Sequence, residues 1–134
     1  MRRLTADWVR KAEADYRVAE KLARSRPAEN DHVCFCCQQA AEKFLKAILT
    51  ELGVPVPRSH NLEDLLGILR PHRPALYALR RGLLFLTRFA VDARYPGFHA
   101  RRRLADAARR WAARVRTASR ATLGLRPSRK RKRP

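Results

Sequence analysis

The stretch from Cys34 to Leu66, CFCCQQAAEKFLKAILTELGVPVPRSHNLEDLL, constrains this chain more than any other. Cys37, Ala41, Phe44, Ile48 and Leu52 recur at spacings of four, three, four and four, the period of an apolar helical stripe. Cys34, Ala40, Leu45 and Leu49 widen that stripe, so this helix needs cover on more than one side. Gly53 ends it, and Pro55 and Pro57 forbid its continuation, because proline has no amide hydrogen to give the ladder. Ser59-His60-Asn61 then opens a new helix, with Asn61 as N-cap and Asp64 at the third helical position. A central helix that must be covered on several sides dictates a helical bundle.

The flanking text supplies the cover. A first helix is expected from about Asp7 to Arg24, with Leu4, Trp8, Ala12, Tyr16, Ala19 and Leu22 on one face and Asp15 placed to pair across the core. Ser25 to Asp31 reads as a loop. A short third helix runs from Leu62 to about Leu69, and a fourth starts near Ala75. The fourth carries Leu76, Leu79, Leu83, Leu86 and Ala90 on one face and Leu84, Phe85 and Phe89 on another. A small monomer cannot bury two such faces, so a further helix or a second subunit must cover the second, and a two-fold homodimer is expected. DARYPGFH, residues 92–99, breaks the pattern with a Pro-Gly turn. A fifth helix follows from about Arg101 to Ala121, with Leu104, Ala108, Trp111, Val115 and Ala118 inward. The expected fold is an all-α antiparallel bundle of about five helices over residues 1–122. A basic tail over 123–134 is expected to be mobile.

Charge divides this chain of 134 residues. Residues 1–67 hold 11 Lys/Arg against 10 Asp/Glu, whereas residues 68–134 hold 20 against 2. Arginine-rich codon usage explains the preference for Arg over Lys but not the loss of carboxylates from the second half. A near-neutral half joined to a strongly cationic one points to a polyanionic partner. On the fifth helix Arg101, Arg102, Arg103, Arg109, Arg110 and Arg114 offer a guanidinium stripe for phosphate oxygens. The competing reading is a solvated face, with some arginines paired to carboxylates of the first helix.

Several chemistries find no support. There is no glycine-rich phosphate loop, nucleophile elbow or His-Glu-x-x-His pair. Cys34, Cys36, Cys37 and His32 lack the two ligand pairs of a zinc site and read as small buried residues, so no metal or cofactor is expected. Gln38, Gln39, Glu42 and Lys46 form a polar cluster inside the apolar helix, read as a buried network with Glu42 paired to Lys46 one turn on. His60 reads as a loop residue locking the exit of that helix. No run reaches the length of a membrane span, and three closely spaced cysteines fit a reducing compartment better than a disulfide framework, so a cytoplasmic protein is expected.

QQAAEKFLKAIL, then SHNLEDLL, and much later RYPG, give the chain its family likeness. Over roughly Leu4 to Ser119 it resembles the HEPN domain of prokaryotic proteins. That resemblance implies the helical bundle and agrees with a dimer, but the family is functionally mixed. One implied role is a non-catalytic nucleotide- or RNA-binding module that partners a small nucleotidyltransferase in a toxin–antitoxin-like pair. Lys43, Arg94 and Tyr95 would then line the ligand groove, the cations holding phosphate and the tyrosine stacking on a base. Another is a metal-independent endoribonuclease, whose signature of arginine, four to six residues, then histidine is met by Arg94 and His99. The histidine would take the proton of a ribose 2′-hydroxyl and the arginine stabilise charge on phosphate. Here Tyr95 stands where such enzymes carry a small polar residue, Pro96-Gly97 interrupts the helix that holds their motif, and Cys36 stands where the family often has histidine. The alternative for Arg94 is structural, holding its loop against the second helix through Glu42. A third role is a structural subunit whose arginines dock an acidic protein.

Overall fold

The computed structural model describes residues 1–127. Five α-helices are present among them: α1 Arg3–Ala23, α2 Asn30–Glu51, α3 Leu62–Leu69, α4 Arg80–Thr87 and α5 Arg102–Thr122. No strand occurs among the described residues, and none of the helices is long and apolar enough to cross a membrane.

The helix at the centre of the sequence is the centre of the fold. α2 buries Val33, Cys34, Cys37, Ala40, Ala41, Phe44, Leu45, Ile48 and Leu49, a spread that leaves it little outward surface. α1 and α5 pack along it, and α3 with α4 closes the remaining side. The ends of α1 and α2 are tied where the Arg2 amide and the Thr5 hydroxyl both donate to Glu51 Oε1, each at 2.9 Å. Asp15 meets Lys43 further along, so the two helices run antiparallel. Gly53, at φ +72°, lets α2 stop. Its amide donates to Thr50 O and that of Val54 to Leu49 O, both at 3.0 Å, the reversed bonds of a Schellman ending. Asn61 caps α3 as expected, its Oδ1 accepting from the amides of Glu63 at 2.9 Å and Asp64 at 3.4 Å.

Three expectations need correcting. In α1 the buried positions are Thr5, Val9, Ala12 and Ala19. Leu4 is 59% exposed, because the bond from Thr5 to Glu51 turns the helix by one residue at its start. In α5 Ala108 and Val115 are buried and Leu104, Trp111 and Ala118 pack against the core as expected, but Ala105, Ala112 and Ser119 are buried as well. Small residues face inward because the helices approach closely. A Cβ placed on Gly82 of α4 would stand 2.0 Å from Trp111 Cε3, so the indole lies directly on the glycine backbone. The fourth helix is not continuous either. Pro74–Leu79 and Arg88–Ala90 are 3₁₀ turns on either side of α4.

Leu76, Leu79, Leu83, Leu86, Phe89 and Ala90 of this segment are buried, while Leu84 is 40% exposed and Phe85 only partly covered. Part of the expected tail belongs to the bundle. Gly124 at φ +71° brings Leu125 back so that its amide donates to Arg120 O at 2.8 Å. The Arg120 guanidinium donates to Arg126 O at 2.6 and 3.0 Å. The remaining positions of the tail lie outside the described residues.

Candidate functional site

The loop between the 3₁₀ turns and α5 is held by two anchors, one to the 3₁₀ turn after α4 and one to the first turn of α2. Phe98 packs edge-on against Phe89, ring centroids 5.9 Å apart. The Ala100 amide donates to Asp31 Oδ1 at 2.7 Å. These contacts fix the positions of Arg94 and His99. Arg94 lies over the Phe35 ring, its guanidinium carbon 5.4 Å from the centroid. His99 is exposed and shares with His32, Glu29, Asn30 and Asp31 the wall of a cavity of about 270 Å³. Phe35 and His32 are three residues apart on α2 and therefore neighbours on its surface. The two side chains that the arginine–histidine spacing singles out thus sit at adjacent stations on one end of α2. Tyr95, 60% exposed, stands beside them in sequence with its ring in solvent.

Lys43 is not brought to this place. It is eight residues beyond Phe35, about 12 Å along the helix axis, and its ammonium is bonded to Asp15 of α1. Nor does Arg94 reach Glu42. Glu42 Oε1 accepts from Gln38 Nε2 at 3.1 Å and faces His60 Nδ1 at 2.9 Å, and Oε2 accepts from Lys46 at 3.1 Å. Gln38 also donates to His60 O at 3.2 Å, closing the ring of bonds between α2 and the loop that follows it. Burial pushes the Glu42 carboxyl up, but the bonds from His60, Gln38 and Lys46 outweigh it and hold it below its ordinary value. The cluster is satisfied and structural, with Lys46 also lying 5.7 Å from the Trp8 ring centroid.

The cysteines behave as core. Cys34 and Cys37 are fully buried. Burial, with the Asp31 charge adding to it, pushes the Cys34 thiol up to about 12. Cys37 is raised too, chiefly by burial, and Cys36, which is partly covered, is raised for the same reason. No group of three His, Cys, Asp or Glu side chains among the described residues could hold a metal.

The arginines of α5 divide into two sets. Arg109, Arg116 and Arg120, at spacings of seven and four, face α1. Arg109 bonds both oxygens of Glu20, at 3.1 and 2.8 Å, while Arg116 and Arg120 share the Glu13 carboxylate at 2.8 and 2.9 Å. Arg109 is therefore not part of an outward stripe. Arg103, Arg110 and Arg114, also at spacings of seven and four, are exposed and have no carboxylate partner among the described residues, as is true of Arg101. Arg114 rests on the Trp111 ring at 4.9 Å. Arg102 comes no closer than 3.8 Å to Asp106. It lines a second cavity, of about 410 Å³, with Arg24, Ser25 and Arg26 of the α1–α2 loop. That cavity adjoins the one beside His99, for Ala28 and Asn30 line both.

Comparison with known proteins identifies the frame. The family model described as the HEPN domain matches residues 5–121. The chain belongs to the HEPN family. Among solved structures, this HEPN chain is similar to the crystal structure of TT1696 from Thermus thermophilus. The TM-score is 0.77 and the sequences are 25% identical, over 88% of this chain and 97% of that one. No curated protein matches the sequence.

The partial burial of Arg109 was readable in principle. Glu13 and Glu20 are seven apart on α1, as are Arg109 and Arg116 on α5, and two such pairs interlock when the helices run antiparallel. The cleft between the α1–α2 loop and the start of α5 left no signal, since its residues come from segments more than 70 apart.

Proposed function

We propose that this HEPN domain is a nucleotide- or RNA-binding module that meets its ligand through the outward arginines of α5 and the loop carrying Arg94 and Tyr95. The observation that carries this reading is the division of the α5 arginines. The carboxylates of α1 are engaged by the inward set, which leaves Arg103, Arg110 and Arg114 in solvent without counter-charges. With 31 Lys/Arg against 12 Asp/Glu, one-to-one pairing would still leave 19 cations. Such a surface releases condensed counterions from a polyanion, and its affinity falls steeply with salt. The test is fluorescence anisotropy of a labelled single-stranded RNA across a salt series. The triple variant R103A/R110A/R114A is expected to bind more weakly and to flatten the slope of log K against log salt by about 2. Binding that ignores salt, or no binding at 50 mM salt, would overturn the proposal.

A second reading draws on the adjacent stations of Arg94 and His99 on α2. An arginine and a histidine that lie beside α2 residues one helical turn apart suit attack of a ribose 2′-hydroxyl on its own phosphodiester, without metal. Cleavage of RNA in EDTA to a 2′,3′-cyclic phosphate, lost in both H99A and R94A, would put this reading first.

A further inference from the structure

We infer that the cleft where the α1–α2 loop meets the start of α5 is a nucleotide site. Arg24, Arg26 and Arg102 take the phosphate, and the adjoining pocket between His32 and His99 takes the nucleoside attached to it. The inference rests on the nucleotide or RNA binding proposed above and says where one nucleotide unit sits.

Space comes first. The two cavities, of about 410 and 270 Å³, meet at Ala28 and Asn30. Together they fall in the range of roughly 300–1,000 Å³ that small-ligand sites occupy. Charge sets the polarity of the ligand. Arg24 and Arg26 are exposed and have no carboxylate partner among the described residues. Asp106, the one carboxylate on that cavity, is shared: its Oδ1 bonds Arg109 at 3.2 Å and its Oδ2 makes a loose ion pair with Arg102 at 3.8 Å. The larger cavity therefore has an excess of guanidinium groups, the donors best shaped for phosphate oxygens.

The smaller cavity has the opposite balance. Glu29 is exposed there, and Asp31 uses Oδ1 on the Ala100 amide, leaving its other oxygen as an acceptor. Carboxylates repel a phosphate but accept from ribose hydroxyls, and imidazole rings such as His32 and His99 stack on bases. A nucleotide can thus enter in one sense only, with phosphate toward the arginines and nucleoside toward the histidines. Neither set of groups is needed by the core, since all five of these cationic and imidazole side chains are exposed.

The experiment compares R24A/R26A with R3A/R58A, which loses the same charge near the opposite ends of α1 and α2. Anisotropy with a labelled ten-nucleotide RNA is expected to weaken by about tenfold in R24A/R26A, against about twofold for the loss of two distant charges. Diethylpyrocarbonate labelling, mapped by peptide mass, supplies a local readout. Bound RNA should slow modification of His32 and His99 and leave His60 and His72 unchanged. The same measurement with AMP separates the sources: protection by AMP as well as RNA assigns a site for free nucleotide, and protection by RNA alone assigns a site for a nucleotide within a strand. If the parent binds RNA while both double variants bind alike and His32 and His99 stay reactive, the cleft is refuted and the outward α5 arginines remain. If AMP protects both histidines in a parent that does not bind RNA, the cleft stands and the RNA reading falls. No protection by either ligand together with no RNA binding removes both.

Discussion

At Glu42 a carboxylate sits almost out of solvent with every oxygen occupied, by Gln38 and His60 on one and Lys46 on the other. Its removal leaves the Lys46 ammonium, itself 8% exposed, without its counter-charge. E42Q should therefore lose roughly 3 kcal/mol at neutral pH, seen as a lower midpoint in urea. The sign with pH follows from the depressed carboxyl. A group whose folded-state pKa lies below its ordinary value of 4.5 stabilises fully above that value and loses the contribution as pH falls through the folded pKa. The gap between parent and E42Q should be constant from pH 7 to about 5 and narrow below it. A gap that stays constant down to pH 3 would mean that Glu42 acts through packing alone. The pairing with Lys46 was legible in the sequence because it is a local, four-residue relation. The locking role of His60 was legible too, but its partners Glu42 and Gln38 were not, since they depend on a loop that returns after 18 residues. The alternative that ties Arg94 to Glu42 fails because Gln38, His60 and Lys46 already occupy that carboxylate.

Among the helices, the α1–α5 contact is an ion-pair ladder: Glu20 with Arg109, then Glu13 with Arg116 and Arg120. The Glu13 side chain is 13% exposed and its two arginines 20%, so the bonds are partly shielded from water and salt. Arg10 and Asp7 on α1, at 70% and 44% exposure, make a pair of similar length that solvent weakens. A double-mutant cycle on Glu13 and Arg120 should give a coupling of about 1 kcal/mol or more, with E13A itself costing roughly 1.5–3 kcal/mol. The same cycle on Asp7 and Arg10 should give less than about 0.5 kcal/mol. Equal couplings would show that burial adds nothing here. Element existence was plain in the sequence, because α2, α3 and α5 each carry a strong period or cap. What faces what was only partly so. The buried lines keep Ala12, Ala19, Ala108 and Val115 where they were expected, and Thr5 enters the core through its partner Glu51 across the interface. The 3₁₀ turns around α4 follow from Pro74 at one end and the tight return to the 92–99 loop at the other.

For the whole molecule, the second apolar face expected of the fourth segment is largely covered within the bundle, since Phe89 is buried and Phe85 partly so, and Leu84 alone of the three is exposed. Leu84 of α4 is 40% exposed, and Val91 and Tyr95, which follow the 3₁₀ turns after it, are 55% and 60% exposed. Arg88, between Leu84 and Val91, rests on Phe85 and Phe89 at 4.9 and 5.0 Å, where Phe89 is fully buried and Phe85 partly so. If two copies join through this side, as the homodimer proposed from the sequence requires, each brings a strongly cationic body to the other. Salt then acts on the molecule in two opposite senses. It weakens contact with a polyanion by removing the gain from counterion release. It strengthens contact between two like-charged subunits by screening their repulsion, leaving apolar burial to hold them. Sedimentation at micromolar concentration should show a dimer whose association tightens between 50 and 500 mM salt, over the range in which RNA affinity falls. L84E should sediment as a monomer at every salt while its helical content and melting temperature stay near those of the parent, because Leu84 contributes little to the monomer core. A parent that remains monomeric at 500 mM salt would place the cover of this face elsewhere. An L84E dimer as tight as the parent would move the interface to another side of the bundle.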